Sequence, residues 1–207
     1  MNDRSRRRSA SRRVPGALSG LMVLAAVCVA MGTPASADPS DAPPPLMPEF
    51  VPTASNWAPQ FPYPYDQTRK NVTDADINAE REMCQWFNAR FRDLRDQMDK
   101  FGFNLLQANN DWTAGTIQAQ ADNVATNVEH AVAFLTPRTT ALTISQDFAG
   151  DMYFPIYQGE PFYRLWQELS NVGVGIRARN TAWVYGPSQQ RVKRWASQIE
   201  RSRVCDQ

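Results

Sequence analysis

Between residues 73 and 105 the apolar side chains Ile77, Cys84, Phe87, Phe91, Leu94, Met98, Phe101 and Leu105 recur in steps of three, four and seven. That spacing lays them along one side of a helix and predicts a long amphipathic element. Thr73-x-x-Asp76 reads as its N-terminal cap, and Arg90, Arg92, Asp93, Arg95, Asp96 and Asp99 fall largely on the solvated side. A second stripe, Ile117, Ala121, Val124, Val128, Ala131 and Leu135, is built from smaller residues and predicts a helix that packs closely, starting near Asp111 or Thr113. Thr136-Pro137 then reads as the start of a third, short helix carrying Ala141, Ile144 and Phe148 and ending at Gly150, with Pro at the first position and Gly past the end.

A loop is expected over 151–160, where Pro155 and Gly159 break the pattern. A fourth helix from Pro161 carries Phe162, Leu165, Trp166, Leu169, Val172 and Ile176, weakened by Gly173 and Gly175. A fifth starts at Gly186-Pro187-Ser188 and carries Val192, Trp195, Ile199 and Val204. No β pattern and no repeat stands out. Four apolar stripes that need mutual burial predict an all-α bundle, four main helices plus one short one, over residues 71–207.

Ahead of the bundle the periodicity disappears. Residues 38–70 hold Pro43-Pro44-Pro45 and the run Trp57-Ala58-Pro59-Gln60-Phe61-Pro62-Tyr63-Pro64-Tyr65. Proline fixes φ and lacks a donor, so this arm is extended. Its first part reads as a spacer. Its rings, Trp57, Phe61, Tyr63 and Tyr65, either pack on the domain or are offered to a protein partner. Removing residues 38–65 is expected to leave the bundle folded.

The first 37 residues follow a third pattern. A basic start (Arg6 to Arg8, Arg12, Arg13), an apolar run near 17–31 and Ala35-Ser36-Ala37 have the order of a cleaved secretory signal. Lipidation at Cys28 fits poorly, because the cysteine lies inside the apolar run. A retained anchor fits poorly because the run is short of about 20 residues. Either the general or the twin-arginine route would serve. The mature chain is expected to be secreted or held in a bacterial cell envelope, with no transmembrane anchor after cleavage. In such a compartment Cys84 and Cys205, the two remaining cysteines, are expected to pair.

The leader also changes the charge balance. It holds six of the chain's 22 basic residues and one of its 21 acidic ones, leaving 16 basic against 20 acidic. Nucleic acid is therefore a poor partner. Positive charge concentrates after Arg164, and the simplest use for it is to face the acidic first helix.

Chemistry is sparse. His130 is the single histidine, no metal-ligand spacing or nucleophile motif appears, and no cofactor is expected. Aromatic residues cluster around the 151–160 loop: Tyr153, Phe154, Tyr157, Tyr163 and Trp166, with Phe148 before them. Such rings line ligand pockets or plug a core. With Arg177 and Arg179 for an anionic head group, they form the candidate ligand site. The expected function is binding of an apolar or amphipathic envelope ligand, or of an envelope protein partner. The alternatives are an interaction module that assists export or wall assembly through its arm, and a secreted helical enzyme using Arg and carboxylate residues.

Overall fold

The computed structural model describes residues 42–59, 69–146 and 149–206. The leader, with its cleavage site, lies outside the described residues, as do Phe61, Tyr63, Tyr65 and Phe148. After a 3-10 turn at Arg69–Asn71, the chain forms α1 (Asp74–Trp86), a π-helical segment (Phe87–Phe91) and α2 (Arg92–Gln107). It continues through α3 (Ile117–Ala141), β1 (Ser145–Gln146), β2 (Met152–Tyr153), α4 (Gly159–Arg177), α5 (Thr181–Tyr185) and α6 (Pro187–Ser202).

The protein is an all-α bundle, and its cross-helix contacts show the directions. Glu82, Gln97 and Asn104 of the first rod meet Arg138, Asn127 and Gln120 of α3, so one number falls as the other rises. Trp166 meets Thr136, and Arg177 meets Glu129, so α4 runs against α3 in the same way. α6 packs on α4 and runs against the first rod: Lys193 meets Asp99, and Cys205 meets Cys84. The result is an up-down-up-down ring of four helical runs. Its core is filled by Met83, Phe91, Leu94, Met98, Phe101, Leu105, Leu135, Phe162, Leu165 and Leu169, all nearly free of solvent. Phe87 and Phe162 touch edge to face across the centre, with ring centroids 6.1 Å apart.

The first stripe is buried as the spacing requires, but the rod is not uniformly α-helical. The π segment carries Asn88, whose amide donates to the Cys205 carbonyl at 2.8 Å. It also lets sequence neighbours Trp86 and Phe87 both turn inward. The capping box at Thr73 and Asp76 is present in both directions.

Two expectations need correction. Thr136-Pro137 does not begin a new helix: α3 runs through Pro137 to Ala141. Leu135 and Thr139 are buried on either side of the proline, and the Arg138 guanidinium donates to both the Phe134 carbonyl and Glu82. Tertiary packing thus outweighs the lost backbone bond. The extra short helix is instead α5, started by Asn180, whose side chain caps the Ala182 amide. The segment after α3 makes a small antiparallel ladder, Ser145 with Tyr153 and Gln146 with Met152, which the sequence did not suggest. As the spacing through Ile176 requires, α4 continues past Gly173 and Gly175 to Arg177. They are contact points: a Cβ on Gly175 would lie 2.1 Å from the Trp183 Cβ, and one on Gly173 would lie 3.1 Å from Val128.

Cys84 and Cys205 form the disulfide, with Cα atoms 5.0 Å apart and a sequence separation of 121. Among the described residues no helix is long and apolar enough to cross a membrane.

Candidate functional site

The arm is no free spacer. Residues 42–59 have no regular structure of their own and lie along the bundle, held by side-chain amides on α3 and α1. Asn123 donates to the Pro44 carbonyl and Asn127 to the Pro45 carbonyl, both at 2.9 Å. The Met47 amide donates back to Asn127 at 2.7 Å. Gln85 grips Thr53 at both its N–H and its C=O. Trp57 is buried in the core, its indole N–H donating to the Val204 carbonyl at 2.9 Å. Arg81 donates to the Trp57 carbonyl. Trp57 is therefore committed to its own fold, and removing residues 38–65 would open the core.

Under the arm, Met47, Pro48 and Phe50 close over Trp86, Arg90, Leu94 and Phe134. The space left is about 20 Å³, little more than one water requires. His130 is exposed at the edge of this site.

The other side of α3 faces α4 across an open groove of about 580 Å³. Val128, Val132 and Ala133 line one wall, and Gly173, Val174 and Ala178 the other. The small residues explain the gap. Gly173 lets the two helices come close at Val128, and the alanines leave the flanks unfilled. Arg177 stands at one end, donating twice to Glu129 at 2.7 Å and once to Thr126 at 2.9 Å. The hydrogen bond from Arg177 lowers the Glu129 carboxyl below its ordinary range, and the same contact holds Arg177 still more firmly protonated. Arg179 pairs with Asp122 at 2.8 Å and lies over the Trp112 ring. Both arginines that follow α4's apolar stripe are thus placed on α3, with Arg177 bordering the groove.

The loop rings form a chain of their own. Phe154 lies 5.3 Å from Tyr163, and Tyr163 lies 5.4 Å from Trp166. Trp166 donates its indole N–H to Thr136 Oγ1 at 3.0 Å. Phe154, Tyr157 and Trp166 rest half-buried against the core, and Tyr153 belongs to β2. These residues line none of the grooves described here.

Two carboxyls on α1 are sealed from solvent. Asp76 accepts from the backbone and hydroxyl of Thr73 and from those of Thr143, so it ties the start of α1 to the end of α3. Burial alone would raise its pKa, but these bonds outweigh it and hold the carboxyl below its usual value. Glu80, one turn later, has no exposed surface and neither oxygen has a hydrogen-bond partner. Burial, with Asp76 adding like-charge repulsion, pushes its pKa well above the ordinary carboxylate value. No group of three or more metal-ligating side chains is found among the described residues.

Sequence reasoning missed the amides that hold the arm and the groove itself. Asn123 and Asn127 one turn apart, beside a stripe of small residues, were the available signal. Comparison with models of known families, with curated proteins and with solved structures finds no match to this chain.

Proposed function

We propose that this is an exported, non-enzymatic protein of a bacterial envelope that holds the apolar part of an amphipathic ligand in the α3–α4 groove. The observation that carries the reading is the groove itself: about 580 Å³, walled by Val128, Val132, Ala133, Gly173, Val174 and Ala178, with a guanidinium at one end. That is the composition of a site for a small apolar body with one polar anchor. Val174 keeps 66% of its surface exposed, so a ligand would bury apolar area that the fold leaves wet. Arg177 and Glu129 are both about half exposed. Such pairs hold weakly, so an anionic head group can exchange with Glu129 at small cost.

The basic leader, the A-x-A site and the Cys84–Cys205 bridge support export.

Organic extraction of the purified mature protein, followed by mass spectrometry, tests the reading. A co-purifying amphiphile, or uptake of a fluorescent fatty acid that Ala133→Arg and Val174→Glu abolish, is the expected result. Protein that is ligand-free and takes up no amphiphile would overturn it.

A further inference from the structure

The short helix α5 sets an aromatic ring beside the first rod. Val184 is buried and anchors α5 in the core, while Trp183 packs on Gly175 of α4. The Tyr185 hydroxyl donates to the Gly102 carbonyl at 2.8 Å, so the ring is fixed at its far end as well. Tyr185 is still more than one-third exposed, and next to it on α2 Phe103 is 61% and Leu106 54% exposed. Three large apolar side chains therefore stay wet around one cleft of about 330 Å³.

The facing wall is polar and already ordered. From α6, Gln189 donates to Asp99 Oδ1 at 2.7 Å and the Lys193 ammonium approaches the same oxygen at 2.8 Å. That leaves Asp99 Oδ2 and the exposed Gln190 amide without hydrogen-bond partners among the described residues. Beyond the Asp99–Lys193 pair the seam opens again into a second cleft of about 300 Å³, bordered by Arg95, Asp96 and Glu200. Both clefts share Asp99 and Lys193, so they follow one another along the α2–α6 seam.

This mixture of walls selects the ligand. An acyl chain would cover the rings but strip water from a carboxylate, an ammonium and two carboxamides and give nothing back. An anion would meet Asp96, Asp99 and Glu200 against Lys193 and Arg95. A sugar hydroxyl both donates and accepts, as a wall with acceptors, donors and amides requires. A pyranose ring with equatorial hydroxyls also presents a flat, electropositive C–H face to the negative face of an aromatic ring. We infer that the α2–α5–α6 cleft binds a chain of β-linked pyranose units, one ring lying on Tyr185 and Phe103 with its hydroxyls on Asp99 and the α6 amides. The site shares no residue with the α3–α4 groove, and either can fail alone.

The experiment uses the mature chain with its disulfide, and cellotetraose and chitotetraose as probes. Saturation-transfer NMR should show contact strongest at the ring C–H protons of at least one of them, and titration should give a saturable curve. Phe103→Ala and Tyr185→Ala should each weaken that binding about tenfold, the loss of one ring contact. Asp99→Ala should weaken it by about tenfold or more, the loss of a hydrogen bond to a charged group. Tyr185→Phe keeps the ring and should stay closer to the unaltered protein than Tyr185→Ala. Circular dichroism and the intact Cys84–Cys205 bridge confirm that each variant is folded; Phe103, largely exposed, carries the test if Tyr185→Ala does not fold. No transfer to either oligosaccharide, or binding that survives both Phe103→Ala and Asp99→Ala, would overturn the inference. Concentration-dependent dimers that vanish with Phe103→Ala would assign the cleft to a second copy and overturn it as well.

Discussion

The two sides of α3 are finished in opposite ways. Toward the arm it presents Asn123 and Asn127, and both are consumed by the backbone of residues 44–47. Toward α4 it presents Val128, Val132 and Ala133, and the groove they line stays open. One side is polar and covered, the other apolar and bare. The difference teaches that polarity does not decide which surface is sealed. A covered polar face needs a partner that answers each hydrogen bond, and an extended backbone does so without a helix of its own. An apolar face made of small residues is left incomplete wherever its neighbour is also small. Charge follows the same division: Asp76 and Glu80 lie sealed on α1, whereas Arg177 and Glu129 remain half in water.

The strongest way to break the covered side is through its covalent anchor. The Cys84–Cys205 bridge fixes the tail that offers the Val204 carbonyl to Trp57. Cys205→Ser should cost about 4–5 kcal/mol by chain entropy for so long a loop, read as a large drop in the urea midpoint. Trp57→Ala should follow closely, at about 3–5 kcal/mol for a buried aromatic. A midpoint within error of the unaltered protein would show that the arm is not part of the core.

Asn127→Ala is the next test, with the groove and the disulfide untouched. It leaves the half-buried Met47 N–H, the Pro45 carbonyl and the Gln97 amide oxygen without this partner, and should cost about 1–3 kcal/mol. Chemical denaturation measures it. The same substitution should leave amphiphile uptake in the α3–α4 groove unchanged.

The sealed acids sharpen the comparison through pH. Glu80 has a folded pKa raised above its unfolded value. Its contribution is therefore whole below the unfolded carboxylate range and is lost as pH climbs through the folded value. Asp76 has the opposite sign: its folded pKa is lowered, so its contribution is present above the unfolded value and is lost as pH falls. Glu80→Leu removes an unpartnered buried carboxyl and should raise stability at neutral pH by about 1–3 kcal/mol, with a larger gain toward alkaline pH. Urea titrations at pH 5, 7 and 9 would show the two curves diverging. Parallel curves would mean that Glu80 reaches solvent.

The smallest effect belongs to the bare side. Ala133→Arg and Val174→Glu sit on its exposed rim, and each should change stability by no more than about 0.5 kcal/mol. Thermal melts that fall markedly would place these positions inside the core instead of at a binding groove.

Much of the bundle was legible from periodicity. The stripes through Cys84 to Leu105, Ile117 to Leu135, Phe162 to Ile176 and Val192 to Val204 are buried where their spacing puts them. The Thr73 cap and the proline start of α6 also follow from local rules. Pro137 misled because its local preference is outweighed by packing on both sides of it. The binding surfaces were far less legible. The aromatic residues of 153–166 stand out in composition, yet they pack on the core and on one another, whereas the groove is lined by valines, alanines and a glycine that carry no distinctive signal.

The sequence alone determined that the chain forms amphipathic helices, how many major ones there are, and which two cysteines are left to pair once a leader is removed. These depend on spacing and on local backbone chemistry, both of which act within a few residues. Only the tertiary structure decided that the arm lies on α3, that Glu80 is shut in without a partner, and that α3 and α4 leave a groove between them. Each of those depends on residues about 30 to 150 positions apart meeting in space, and neither periodicity nor composition encodes that distance.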